Sequence, residues 1–126
     1  MRLLVDTHAV IWATVEPHRL SARARDILEA SDSELMLSAV SAYEIEFKRE
    51  RDAAIVRMPA DLERALRDMG FEWLAVTPAH AAAAGRLPRH HGDPFDRLLV
   101  AQALAEGVAL LSADGRMPDY GVEVIW

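Results

Sequence analysis

An apolar run that stops at a carboxylate, Leu3-Leu4-Val5-Asp6, constrains this chain more than any other stretch. The run is apolar at successive positions and too short for a helix, so it reads as a strand buried on both faces. Such strands belong to parallel sheets covered by helices. In sheets of that kind, ligands gather beyond the carboxyl ends of the strands, which is where Asp6 stands. An aspartate there can also do no more than cap the following helix, so the remaining acids have to decide between the two readings.

The rest of the sequence keeps the same alternation. A helix is predicted from His8 to Val15, stopped by Glu16-Pro17 because the residue before proline avoids helical backbone. Ser21 is placed to cap a helix over 22–30, with Ala24, Ile27 and Leu28 as its buried stripe. Leu35-Met36-Leu37 forms a second strand, and the next helix starts at Ser38 or Ser41 and runs to about residue 51. Asp61 opens a helix with Leu62, Ala65, Leu66 and Met69 at helical spacing and Gly70 beyond its end. Residues 71–76 make a third strand, and Thr77-Pro78 supplies a cap and first-turn proline for an alanine-rich helix ending near Gly85. Asp93-Pro94 opens the best-marked helix, 94–106, closed by Gly107; 108–111 and 122–125 are the fourth and fifth strands, separated by a turn at Asp114-Gly115. Strands alternating with helices predict an α/β domain around a mainly parallel five-stranded sheet, and 126 residues fit a single domain, 1–126.

Composition removes several functions. There is no cysteine, hence no disulfide and no thiolate metal site, and His90-His91 are adjacent in a loop, pointing different ways, which disfavours zinc. A net charge of −6 argues against binding nucleic acid by bulk electrostatics. It leaves room for phosphate binding through a metal ion and local arginines; Lys48 is the sole lysine. No apolar run approaches the ~18 residues needed to span a membrane. Asp6 interrupts the one candidate leader segment, so a cytoplasmic protein without membrane attachment is expected.

Four acids fall at element ends. Asp6 follows the first strand, Glu44 lies in the helix after the second, Asp96 in the first turn of the helix before the fourth, and Asp114 just after the fourth. In a parallel sheet all four belong to the carboxyl edge. Carboxylates converging without matching bases repel one another. A hard divalent cation relieves that repulsion, and oxygen ligands suit Mg²⁺ or Mn²⁺. Each acid has a plainer role as well. Ser41-Ala42-Tyr43-Glu44 matches a capping box, Asp93 is best read as the cap of its helix, Asp96 can complement the helix dipole, and Asp114-Gly115 can be a simple turn.

The sequence resembles the PIN-domain ribonucleases of the VapC-type toxin group. Leu3 to His8 is similar to that family's first motif, Ser38-Ala39-Val40-Ser41-Ala42-Tyr43-Glu44-Ile45 to its second, and His91-Gly92-Asp93-Pro94-Phe95-Asp96-Arg97 through Ala103 to its third. Leu110-Leu111-Ser112-Ala113-Asp114 with Tyr120-Gly121-Val122 and Trp126 resembles its close. The resemblance implies a three-layer α/β/α sandwich and a Mg²⁺- or Mn²⁺-dependent endoribonuclease leaving a 5′-phosphate and a 3′-hydroxyl. It also implies a VapB-type antitoxin partner and a homodimer. Carried over by position, Asp6, Glu44, Asp96 and Asp114 become the catalytic and metal-binding quartet, with Asp93 a further candidate ligand. Asp6 and Asp96 are then direct ligands, Glu44 orients or deprotonates water, and Asp114 acts through water or on a second ion. Tyr43 replaces a common tryptophan and Ser112 a common threonine.

Arg86, Arg89, Arg97 and Arg116 are the candidate RNA contacts. The helices over 22–30 and 40–51 flank the second strand, and a groove between them is the expected seat of an antitoxin segment. Two other readings compete: a PIN-like RNA- or protein-binding module without catalysis, and a Mg²⁺-dependent phosphoacceptor domain of the receiver type. The receiver reading needs a late lysine, which the chain lacks.

Overall fold

The computed structural model describes residues 1–90 and 92–126. His91, which opens the third motif and pairs with His90 in the zinc reading, lies outside the described residues. The chain runs β1 (Arg2–Val5), α1 (Thr7–Val15), α2 (Ala22–Glu29), β2 (Glu34–Ser38), α3 (Ala39–Lys48), α4 (Leu62–Asp68), β3 (Phe71–Leu74), α5 (Pro78–Arg86), α6 (Pro94–Glu106), β4 (Ala109–Leu111) and β5 (Val124–Ile125). The strands form one sheet in the order β3-β2-β1-β4-β5, and every pairing is parallel. A receiver-type sheet follows the order 2-1-3-4-5, so the phosphoacceptor reading falls on topology as well as on the missing lysine.

Alternation along the strands sends side chains to two cores. Leu3, Val5, Leu35, Leu37 and Leu111 pack with α1, α2 and α4 through Val10, Ile11, Ala24, Leu62 and Leu66. Leu4, Met36 and Leu110 face the other way, onto Leu99, Val100 and Ala103 of α6. Helices therefore cover both faces, the three-layer arrangement that continuous apolar strands require. Among the described residues no helix is long and apolar enough to cross a membrane.

The order change sits at β1, between β2 and β4. The register Leu4↔Met36 and Leu4↔Leu110 brings the ends of these three strands level, and the Asp6 amide extends the pairing by donating to the Leu111 carbonyl at 2.9 Å. Asp6 thus leaves the sheet at its topological switch point, where an open crevice is expected.

Two local expectations need correction. α3 is capped by Ser38, whose hydroxyl accepts from the Val40 amide at 3.1 Å, so the capping box from Ser41 to Glu44 does not form. Ser41 is turned inward instead and shares a 2.8 Å hydrogen bond with Thr7. The expected groove between α2 and α3 is also replaced. α3 crosses from one core at Val40 to the other at Ile45, and the hollow beside α2 is lined by Leu20, Leu28, Leu35, Met69 and Phe71 rather than by α3.

Candidate active site

Each acid reaches the carboxyl edge by a different device. Asp6 occupies the N-cap position of α1 in extended backbone (φ −62°, ψ 150°), yet its side chain makes no capping hydrogen bond. One carboxylate oxygen, Oδ2, accepts from the Ser112 hydroxyl at 2.8 Å. The other, Oδ1, is buried without a hydrogen-bond partner among the described residues. A buried carboxylate oxygen left unpaired is costly, and here the capping role that could have explained it is absent. Ser112 also accepts from the Asp114 amide at 3.1 Å, so one hydroxyl ties the end of β1 to the end of β4.

Asp93 does cap: its Oδ1 accepts from the amides of Phe95 at 2.9 Å and Asp96 at 3.3 Å. That cap starts α6 and turns Asp96 inward, where only 9% of it is exposed. Burial raises the Asp96 carboxyl from the ordinary value of 3.8 to about 7, with repulsion from Asp93, Asp6, Glu44 and Asp114 adding to the rise in that order. Burial likewise pushes Asp6 up, against the Ser112 hydrogen bond and the attraction of His8, while Glu44 adds to the rise.

Glu44 is 2% exposed and forms an ion pair with Lys48, one helical turn on, at 2.6 Å. Burial favours the neutral amine of Lys48, but the hydrogen bond and charge of Glu44, with Asp93 and Asp96 behind it, outweigh that and raise its pKa. Asp114 is held by its turn: Arg116 donates Nε to Oδ1 at 3.1 Å and Nη2 to Oδ2 at 2.9 Å.

These placements separate the expected site residues. Asp6, Asp93, Asp96 and Asp114 line one hollow of about 380 Å³, together with His8, Trp12, Arg19 and Arg116. Glu44 sits behind that lining and acts on it through charge. Among the described residues no three carboxylate or histidine side chains are gathered tightly enough to close on one ion as they stand. Three of the acids have partners of their own: Glu44 pairs with Lys48, Asp114 with Arg116, and Asp6 accepts from Ser112. The chemistry of the donors still fits a hard cation. They are all oxygens, one of them is buried and unpaired, and the repulsion they feel is what a cation removes.

The candidate RNA arginines also divide. Arg97 is a structural strut, donating to the carbonyls of Ala84 at 2.8 Å, Leu87 at 2.8 Å and Pro88 at 2.9 Å. Arg116 belongs to the acidic hollow, Arg89 lines a separate hollow with Gly85, Gly92, Pro94 and Arg97 itself, and Arg86 lies exposed at the end of α5. Lys48 and Arg19 were not singled out from sequence as site residues. The Glu44/Lys48 spacing of four on a helix is a readable pairing signal; nothing comparable marks Arg19.

Comparison with known proteins gives a consistent picture. Residues 3–123 match the PIN domain family. Ribonuclease VapC22 of Mycobacterium tuberculosis is 34% identical over 124 residues, an alignment covering 94% of this chain and 91% of that protein. Among solved structures, VapBC2 from Rickettsia felis bound to a promoter DNA fragment superposes with a TM-score of 0.70 at 14% identity, covering 99% of this chain and 98% of that one. DNA-bound VapBC from Salmonella typhimurium gives 0.69 at 17% identity, covering 99% and 97%. At such identities the structural matches speak for the fold.

Proposed function

Because the chain belongs to the PIN-domain family, and to its VapC-type group, we propose that it is a divalent-metal-dependent endoribonuclease serving as the toxin of a toxin–antitoxin pair. The observation that carries this reading is the convergence of Asp6, Asp93, Asp96 and Asp114 on one hollow at the sheet's switch point. Asp6 and Asp96 are the residues to hold Mg²⁺ or Mn²⁺, with Asp114 alongside once its carboxylate is shared with Arg116. When bound, such a cation would supply positive charge for a phosphate oxygen and lower the pKa of a nearby water.

The remaining work falls to the chain. Ser112 fixes Asp6 through Oδ2 and leaves Oδ1 without a hydrogen-bond partner among the described residues. Asp93 sets the start of α6 and with it the direction of Asp96. Lys48 holds the buried Glu44 carboxyl, the group assigned to orient a water or take its proton, by a 2.6 Å ion pair. Arg116 restrains Asp114 at the rim. The partner is a small antitoxin, and the relatives solved as VapBC pairs support that choice. Two hollows are offered to it: one of about 180 Å³ beside α2, and a larger one of about 310 Å³ between Ala39 and Ala42 of α3 and Trp73, Leu74 and Ala75.

The test is cleavage of end-labelled single-stranded RNA by purified protein with Mg²⁺, with Mn²⁺ and with chelator. We expect cleavage only with metal, products ending in 5′-phosphate and 3′-hydroxyl, and at least a hundredfold loss in Asp6→Asn, on the scale of removing a group that stabilises charge in the transition state (about 10²–10³). RNA left intact by the metal-loaded wild type across a panel of structured and unstructured RNAs would return the chain to the silent binding-module reading.

A further inference from the structure

The acidic hollow poses an electrostatic problem for an RNA ligand, since a polyanion must approach four aspartates. Its lining includes two arginines. Arg116 is committed to both oxygens of Asp114. Arg19 is placed differently. Its guanidinium carbon lies 4.5 Å from the centre of the Trp12 ring, and its nearest carboxylate contact is Glu16 at 3.8 Å, with half of the arginine side chain open to water. An exposed pair of that length contributes little, so the positive charge remains available to a ligand.

The segment carrying Arg19 is held still. Arg57 donates to the Val15 carbonyl at 2.7 Å and Arg25 to the Pro17 carbonyl at 2.8 Å. The Arg19 amide closes a tight turn onto the Glu16 carbonyl at 3.0 Å. Trp12 is itself buttressed edge-on by Trp126, 5.6 Å away. His8, Trp12 and Arg19 also line a second hollow that continues past the first toward Asp52 and Ile55, so the groove extends beyond the acids on this side.

Building on the ribonuclease reading, we propose that Arg19 binds a phosphate of the RNA strand beside the one that is cut, with Trp12 holding the guanidinium in place for it. A planar guanidinium can stack on an indole and still present its outer edge to two phosphate oxygens. An ammonium offers a point charge without that planar stacking. The Trp12 face covered by Arg19 is therefore a support for the cation rather than a platform for a base.

RNA binding separates this role from cleavage. In an Asp6→Asn background with Mg²⁺, affinity for a labelled single-stranded RNA is measured by fluorescence anisotropy across a salt series. Arg19→Gln should weaken binding about tenfold and lower the magnitude of the slope of log K against log salt by about 0.7, the share of one phosphate contact on a single strand. Arg19→Lys should keep the slope but bind more weakly than the parent. Trp12→Phe should stay near the parent, and Trp12→Leu should fall toward Arg19→Gln. With Asp6 intact, Arg19→Gln should raise KM far more than it lowers kcat. An unchanged slope and affinity in Arg19→Gln overturns the proposal, as does a loss confined to antitoxin binding. Cleavage by the wild type with no Arg19 effect refutes this role alone, whereas salt-sensitive binding through Arg19 without any cleavage refutes the nuclease reading alone.

Discussion

Asp96→Asn should make the metal-free protein more stable at pH 8 while abolishing its proposed activity. In the folded chain the Asp96 carboxyl is raised from 3.8 to about 7, burial first and four neighbouring carboxylates after it. The native state therefore holds this proton more tightly than the unfolded chain does. Its contribution to stability is fully present below about pH 4 and is lost as pH rises through about 7. A shift of roughly three units corresponds to at most about 4 kcal/mol. Asp96 lines an open hollow where water screens part of the repulsion, so about 2 kcal/mol is the reasonable expectation. Asparagine matches the shape of the protonated acid and cannot ionise. The assay is guanidinium unfolding in chelator at pH 3.5 and pH 8, analysed with a common m-value. At pH 3.5, below the unfolded carboxyl's own value of 3.8, the two proteins should be nearly equal; at pH 8 the variant should be ahead by about 2 kcal/mol. Parallel pH profiles, or a variant less stable at pH 8, would refute the claim that burial and the neighbouring carboxylates together raise the Asp96 carboxyl.

Other outcomes follow from the same geometry. Lys48→Met strands a buried carboxylate and should cost about 1–3 kcal/mol in thermal or chemical unfolding, most of it recovered in Lys48→Met/Glu44→Gln. Asp93→Ser should retain both stability and RNA cleavage, since serine caps comparably; losses of metal binding as severe as those of Asp96→Asn would make Asp93 a ligand. Arg97→Ala should lower stability by about 1–3 kcal/mol through stranded carbonyls at the end of α5, and Arg97→Lys should not restore it because one ammonium cannot span them; the salt dependence of RNA binding by the folded variant should be unchanged.

Strand positions were legible in the sequence because strands buried on both faces leave an unbroken apolar signature, as in Leu3 to Val5 and Leu35 to Leu37. Helix starts were legible where a side chain must satisfy a free amide: Ser21, Asp61, Thr77 and Asp93 all cap as expected. Ser41 misled because the same Ser-x-x-Glu spacing serves a cap or, one turn in, a buried hydroxyl paired with Thr7 and a buried acid paired with Lys48. Local spacing cannot separate those cases; only the inward direction of the helix face does. The carbonyl contacts of Arg97 were not legible either, since an arginine beside an acidic motif looks the same whether or not it also binds the carbonyls of α5. Arg19 carried no periodic signal, because it sits in a short turn placed by its stacking on Trp12 and by Arg25 and Arg57 holding the carbonyls of Pro17 and Val15.

The central claim is that the acids beyond β1 and β4 hold a divalent cation that drives RNA cleavage. Mn²⁺ binding followed by electron paramagnetic resonance, alongside Mn²⁺ activation of cleavage on the same preparation, tests it most directly. We expect the binding and activation midpoints to coincide, and both signals to be lost in Asp6→Asn and in Asp96→Asn while the folded state persists. Full cleavage in chelator, or Mn²⁺ binding undiminished by both substitutions, would contradict it.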